Sequence, residues 1–284
     1  MNQHLQHYVD SLKVKKVFWI TFLVDFIFFG AAGIAFSKYL TYLQNTSLEL
    51  VAGRTPEQIQ QLIATTPEQA LPFLEGLKSF LLVSIGTLLL LAIITFLLFS
   101  LEQAFIWNTL QQKKVTSKTY WRWNLLYLGL IIPLLLYGLG AGIVKLVTSS
   151  LLRVLGNLNP SFYFQNAALV DGIILALNNA VSFILVLFAL LIIFLICSTF
   201  TEKYKVWSSI SEGLSKLKPR WSVWWRMVLL MTATAIIITF IVIPLRNALF
   251  IYPFLESVLN VVVSFLFLAW MRIYVVSALH HGHQ

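Results

Sequence analysis

Six long apolar stretches dominate the pattern of hydrophobic and polar positions along the chain. Each reaches the roughly 20 residues that a helix needs to cross the hydrocarbon core of a membrane. Strands of a membrane β-barrel would instead be about ten residues long, with alternating polarity. The pattern therefore predicts an all-α fold, a polytopic membrane helix bundle with six transmembrane helices in three hairpins. The predicted spans cover residues 17–43, 77–107, 123–151, 172–200, 223–250 and 254–279.

Composition supports this interpretation. Of the 284 residues, 59% are hydrophobic and only 11% are charged. An ordinary globular domain is roughly 45–50% apolar and about 25% charged. A chain with so little charge cannot cover a soluble surface, which excludes a soluble enzyme and a disordered protein. We therefore expect one transmembrane domain over residues 1–284.

The distribution of charge predicts how the bundle is oriented. Fourteen of the 20 Lys and Arg residues fall on the side that holds both termini, and this side accounts for the whole net charge of +9. Positive loops stay cytoplasmic, so both termini are predicted to be cytoplasmic in a multi-pass protein of the cell membrane. The expected partners are membrane lipids, above all the anionic inner leaflet, at about 1 kcal/mol per basic residue. Because the basic residues are scattered over several loops, we expect no nucleic-acid binding.

Two segments between the spans carry helical signals of their own. In residues 203–218, apolar positions recur at spacings of three and four among polar ones, which predicts a cytoplasmic amphipathic helix lying in the membrane interface. Its stripe comprises Trp207, Ile210, Leu214, Leu217 and Trp221, and Pro219 is expected to end it. The outer segment 44–76 contains the tetrad Thr-Pro-Glu-Gln twice, at 55–58 and 66–69. Each tetrad suits a helix start, so two short helices are predicted to form an outer cap.

Four ionisable residues form the candidate binding site: Asp25, Glu102, Glu202 and Arg272. Asp25 lies eight residues into the first span, about 12 Å from its cytoplasmic end. A carboxylate at that depth usually faces a partner or a watery cavity, so it could couple a proton or cation. The alternative is a structural pair with Arg272 or a hydrogen bond to a neighbouring Ser or Thr. Glu102 and Glu202 either join Asp25 in a cytoplasm-facing vestibule or mark where their helices leave the hydrocarbon.

Prolines and glycines within the spans suggest where helices flex and pack. Pro133 and Pro244 each free a backbone carbonyl and are predicted hinges, although membrane helices also tolerate such prolines without any function. Gly138 and Gly142 form a small-residue face suited to close helix packing and to a homo-oligomer.

No set of residues predicts chemistry. The histidines fall in the two terminal segments, away from any Glu at metalloprotease spacing, so no metal site is expected. No nucleophile with a partnering base stands out either. We therefore predict no catalytic residue, no cofactor and no enzyme activity.

Basic aromatic segments precede each hairpin, around Trp19, Trp121 to Trp123 and Trp221 to Trp225. The pairs Glu102/Trp107 and Glu202/Trp207 share a spacing of five, which suggests a hairpin repeat, with shared interfacial composition as the alternative. In these features the chain resembles the uncharacterised six-helix integral membrane families of archaea and bacteria. It is also similar to the membrane domain of some bacterial glycerophosphodiester phosphodiesterases. The resemblance implies a membrane architecture and no catalytic motif.

Together these features favour a transporter-like protein that handles a small solute or a lipid in the membrane. The alternative is a non-transporting scaffold or assembly protein, in which the basic segments and the amphipathic helix dock a cytoplasmic partner.

Overall fold

The computed structural model describes residues 8, 11, 16–51, 54–65, 67–157, 167–217 and 221–280. Within these residues the regular structure is entirely helical, which confirms the all-α prediction. The helices are α1 (Lys16–Val51), α2 (Pro56–Thr65), α3 (Pro67–Leu110), α4 (Ser117–Asn157), α5 (Ala167–Lys203), α6 (Val206–Ser215), α7 (Trp221–Leu249) and α8 (Pro253–His280). Among them, all but α2 and α6 are long and apolar enough to cross a membrane. The chain is a multi-pass integral membrane protein, as the six apolar stretches predict.

The first two long helices extend well beyond the predicted spans. At 1.5 Å per residue, the 36 residues of α1 and the 44 residues of α3 measure about 54 and 66 Å, against a hydrocarbon core of about 30 Å. Polar residues that favour helices, such as Gln44 and Glu49 in α1, continue each helix past its apolar stretch. The ends of both helices must therefore reach beyond the hydrocarbon or tilt strongly within it.

The outer segment contains one of the two predicted short helices. The Thr55 backbone N–H donates to Gln58 Oε1 at 2.9 Å, and the Gln58 N–H donates to Thr55 Oγ1 at 3.3 Å. This reciprocal capping box starts α2, as the first tetrad predicts. The second prediction is wrong, because the helix that begins at Pro67 continues without a break into the second span. Thr66, the predicted cap of the second tetrad, lies outside the described residues.

The chain divides into two compact units. The larger unit comprises Met1–Phe22 and Ala104–Gln284, and the smaller unit comprises Leu23–Gln103. In the smaller unit, the Tyr39 hydroxyl donates to the Ser84 carbonyl at 2.9 Å, which joins α1 to α3. The core of the larger unit holds the bulkiest buried side chains, including Trp107, Trp123, Trp224 and Tyr274. That the whole chain forms one domain stays a prediction.

The short helix α6 packs against α4 and α5. A Cβ atom built on Gly213 would lie 2.7 Å from Ile196 Cγ1 and 3.0 Å from Ile196 Cα. One built on Gly129 would lie 3.2 Å from Val206 Cγ1. The predicted helix is thus present, but Ile210 from its apolar stripe is buried against the neighbouring helices. Of the other stripe residues, Trp207 is 68% exposed and Trp221 begins the next helix. The helix ends at Ser215, and Pro219, its predicted end, lies outside the described residues.

The proposed correspondence between two Glu/Trp pairs fails in the structure. Glu102 and Trp107 are both buried inside α3, which continues to Leu110. Glu202 is exposed one residue before α5 ends, and Trp207 belongs to the separate helix α6. The two pairs therefore do not occupy equivalent positions, and the hairpin repeat itself stays a prediction.

Helices α3 and α5 are each followed by a non-glycine residue in the left-handed conformation. Gln112 has φ 55° after α3, and Tyr204 has φ 52° after α5. Glycine is the usual residue at this position beyond a helix end, because a Cβ atom is strained there. The Gln112 side chain is exposed, so it offers little packing to offset that strain.

Replacing Gln112 with Gly is expected to raise the free energy of unfolding by about 0.5–1 kcal/mol. The left-handed conformation costs a non-glycine residue about 1–2 kcal/mol, whereas the entropy of a glycine in the unfolded chain costs about 0.5–1 kcal/mol. The control is Lys114→Gly, since Lys114 is also exposed but has no positive φ. The free energies of unfolding of the two variants and the wild type are measured on purified protein in mixed detergent micelles. Equal destabilisation by the two changes would contradict the argument.

Candidate functional site

The four predicted binding residues are divided between the two units. Asp25 and Glu102 belong to the smaller unit, and both are buried. The Gln103 amide donates to Glu102 Oε2 at 3.1 Å. The burial of both carboxyl groups agrees with the expectation that ionisable groups at membrane depth face the protein interior.

The other two predicted residues lie in the larger unit. Glu202 is exposed near the end of α5. Arg272 is buried on α8, and its guanidinium carbon lies 5.8 Å from the centre of the Phe194 ring, a distance suited to a cation–π interaction. A vestibule shared by all four residues stays a prediction.

Two basic side chains and one amide from outside α5 donate to backbone carbonyls at the end of that helix. Lys113 Nζ donates to the Thr201 carbonyl at 2.6 Å, and Arg122 donates to the Tyr204 carbonyl at 3.2 Å. Gln111 donates to the Ser198 carbonyl at 2.9 Å. The last carbonyls of a helix lack intrahelical donors and carry partial negative charge, so cations are favoured there. Lys113 and Arg122, which the sequence assigns to the leaflet-facing charge, therefore bind the protein's own backbone.

A second set of charges joins α6 to α5. Glu212 lies 2.6 Å from Lys203 Nζ and 3.6 Å from Lys216 Nζ, and Lys216 also donates to Thr199 Oγ1 at 3.1 Å. The hydrogen bond from Lys203, aided by the charges of both lysines, lowers the pKa of the Glu212 carboxyl. Because folding lowers this pKa, the contact of Glu212 with the two lysines stabilises the fold at pH values above the ordinary carboxyl pKa. That stabilisation is lost as the pH falls through the lowered pKa.

A groove of about 530 Å³ lies between α5 and α7. Residues at helical spacing line both of its walls. They include Ala176, Asn179, Ala180 and Phe183 on α5, and Thr232, Ala235, Thr239 and Phe240 on α7. One turn beyond this stretch of α5, the Phe188 ring stacks on Trp221 and Trp225, with ring centres 5.5 Å apart in each pair. Small residues open the groove, and the aromatic stack fills the space nearer the start of α7.

The groove walls are largely apolar. The Thr232 hydroxyl donates to the Val228 carbonyl, and the Thr239 hydroxyl donates to the Ala235 carbonyl, both at 2.8 Å. Both hydroxyl hydrogens are thereby used within α7. Asn179 adds an exposed carboxamide to the α5 wall. Such a surface suits a hydrocarbon chain with a small number of polar atoms.

The two predicted hinge prolines lie beside the cavities of the larger unit. Pro244 is one turn beyond Phe240, and since proline has no N–H it cannot donate to the Phe240 carbonyl. Pro133 lines a second, apolar cavity of about 300 Å³ between α4, α5 and Leu214 of α6. Both prolines lie inside continuous helices, and their action as hinges stays a prediction.

The predicted packing face on α4 has no partner within the described part of the chain. No described atom lies within 4 Å of a Cβ atom built on Gly138 or Gly142. Close packing of these glycines is therefore not made by another described helix of this chain. A homo-oligomer through this face stays a prediction.

Sequence reasoning did not find the α5/α7 groove. A usable signal was present, because alanine recurs at positions 176 and 180 on one helix and threonine recurs around Ala235 on the other. Small residues at helical spacing leave room beside a helix. Which two helices would face each other across that room could not be read from the sequence.

Comparisons with known proteins return no relative that bears on this groove. No protein-family model matches the chain, and no curated protein or solved structure matches it significantly.

Proposed function

We propose that this integral membrane protein handles a lipid or a small apolar solute, and that the groove between α5 and α7 is where the molecule binds. The observation that supports this proposal is the size and position of the groove. Its volume of about 530 Å³ falls within the range of roughly 300–1,000 Å³ typical of small-molecule sites. It is bounded by two helices that are each long and apolar enough to cross a membrane.

The surroundings of the groove favour an apolar occupant. Exposed groove residues such as Ile236 and Phe240, 50% and 71% exposed, would face lipid in a membrane. Lipid tails are as apolar as these side chains, so no hydrophobic force drives the two helices to close the gap. An acyl chain in the groove would instead gain dispersion contacts with both walls. The same site could admit an apolar solute from the bilayer.

We also propose that both termini face the cytoplasm in a cell membrane and that the adjoining leaflet is anionic. Exposed aromatic residues lie near the start of α4, on α6 and at the start of α7: Trp121, Trp207 and Trp221. The hydrogen bond from Arg122 to Tyr204 shows that the start of α4 meets the end of α5. Exposed basic residues, including Lys114, Lys205 and Arg226, accompany these rings. Trp at the headgroup level beside Lys and Arg is the expected composition of a cytoplasmic interface.

The alternative function, a scaffold that docks a cytoplasmic partner, is supported by one feature. Trp207 is 68% exposed on α6, whereas Ile210 and Gly213 of the same helix are buried against α4 and α5. A helix held in place in this way, with an exposed indole, suits a protein partner as well as a membrane surface.

Replacing Ala235 with Phe is expected to reduce lipid binding about tenfold or more, because the larger ring fills the groove from its α7 wall. The measurement is the rise in thermal unfolding temperature of the purified, delipidated protein as phospholipid is added in detergent. Ala233→Phe is the matched control, since Ala233 is exposed on the same helix outside the groove. Equal stabilisation of both variants and of the wild type would overturn the proposal and favour the scaffold.

A further inference from the structure

We infer that the groove prefers lipids whose acyl chains are ester-linked, and that Asn179 is the residue that determines this preference. The inference rests on the proposed function, because it assigns chemistry to the same groove. It concerns one polar side chain in a wall that is otherwise apolar.

Asn179 is placed where a polar side chain is unusual. It lies on α5, seven residues beyond Gly172, where the predicted span begins, and hence about 10 Å from that end of the span. Its side chain is exposed and lines the groove. A carboxamide carries two N–H donors and one acceptor oxygen, and each is costly to place against hydrocarbon without a partner. A bound molecule with a polar atom at this depth would offset that cost.

Nearby polar groups are used differently. The hydroxyls of Thr232 and Thr239 donate to carbonyls of their own helix. The neighbouring Asn178 accepts a hydrogen bond from the Ser149 hydroxyl of α4 at 2.9 Å. These three side chains therefore form hydrogen bonds within the protein, whereas the Asn179 carboxamide presents its donors to the molecule that occupies the groove.

The register of the two helices places Asn179 at a defined level of the groove. Phe188 of α5 stacks on Trp221 and Trp225 at the start of α7, and the earlier residues 176–184 of α5 line the groove with the later residues 232–240 of α7, so the two helices run antiparallel. Asn179 lies nine residues from Phe188, and the same count along α7 from the Trp221 and Trp225 pair reaches the stretch around Thr232 on the opposite wall. A lipid lying in the groove with its linker region at this level would bring its first carbonyl close to the carboxamide.

Neutral linker chemistry fits this level of the groove better than headgroup charge, because none of the described residues that line the groove is charged. An ester carbonyl accepts the Asn179 Nδ2–H, whereas an ether-linked chain of equal length has no carbonyl to offer.

The test compares chain-matched diester and diether phosphatidylcholine by native mass spectrometry of the purified full-length protein. The wild type is expected to bind the diester lipid roughly fivefold to tenfold more tightly, the equivalent of one hydrogen bond. In Asn179→Leu the preference is expected to vanish while both lipids still bind. Asn179→Ala serves as a second variant if the leucine change disturbs assembly. Asn260→Leu is the control, because Asn260 is an exposed asparagine on α8, seven residues from the start of its helix.

Equal affinity of the wild type for the two lipids would overturn the inference. The same would follow if Asn260→Leu lost the preference as fully as Asn179→Leu. Both outcomes leave the groove as a binding site, provided that Ala235→Phe still weakens binding of both lipids. If Ala235→Phe has no effect on either lipid, the proposed function itself fails, and the two failures are thereby distinguished.

Discussion

Replacing Gly213 with Ala is expected to displace α6 from α5 and to lower the free energy of unfolding by about 2–3 kcal/mol. The added Cβ atom would lie 2.7 Å from Ile196 Cγ1, 3.0 Å from Ile196 Cα and 3.2 Å from Ile196 N. The Ile196 side chain can shift, but its backbone is held within α5, about two turns before that helix ends, and cannot. The short helix must therefore move away, which weakens the Lys203–Glu212–Lys216 contacts as well.

Gly138→Ala is the matched control for this change. Gly138 is also helical, but no described atom lies within 4 Å of its Cβ position. Alanine favours a helix over glycine by about 1 kcal/mol, so this variant is expected to be as stable as the wild type or more stable. Unfolding in mixed micelles followed by circular dichroism gives the stability, and proteolysis at Lys205 reports the release of α6. If both variants behave alike, the close contact between α6 and α5 does not exist.

Replacing Trp224 with Ala is expected to lower the free energy of unfolding by about 3–5 kcal/mol, the usual loss for a large buried aromatic side chain. Trp224 is 1% exposed in the core of the larger unit, and its indole N–H donates to the Lys216 carbonyl at 3.0 Å. It therefore fills the core and also binds the chain just beyond the end of α6. Trp224→Phe keeps most of the packing and is expected to cost less, with about 1 kcal/mol from the lost hydrogen bond.

The adjacent Trp225 supplies the control. It is 40% exposed and stacks on Phe188 at the edge of the groove, so Trp225→Ala is expected to cost about 1 kcal/mol. The same micelle unfolding experiment compares the variants. A Trp225→Ala loss equal to or greater than that of Trp224→Ala would show that the core has been placed on the wrong face of α7.

The sequence predicts those parts of the fold that depend on local pattern. Apolar length alone identifies the six long helices, and the Thr55–Gln58 capping box is encoded within four residues. The second predicted cap helix does not form a separate helix, because no strong break divides Pro67 from the apolar stretch that follows. Helix ends such as Gln112 lack the glycine that normally marks them, so their left-handed conformation gave no sequence signal.

The candidate site is less predictable, because it depends on which helices meet. The loop positions of Lys113 and Arg122 predict leaflet-facing charges, yet both side chains bind carbonyls at the end of α5. The sequence marks Pro244 as a hinge candidate, but its position one turn beyond the groove depends on how α5 and α7 pack together. The burial of Asp25 was foreseeable from its depth in an apolar helix.

Photo-crosslinking in membranes shows whether the groove between α5 and α7 holds a lipid or an apolar molecule. A phospholipid with a diazirine in its acyl chain is incorporated into vesicles that contain the protein, and labelled peptides are identified after irradiation. We expect labelling to be concentrated in residues 176–184 and 232–240, reduced in Ala235→Phe and unchanged in Ala233→Phe. Labelling spread evenly over the lipid-exposed helices, or concentrated on the exposed face of α4 at residues 135–147, would contradict it.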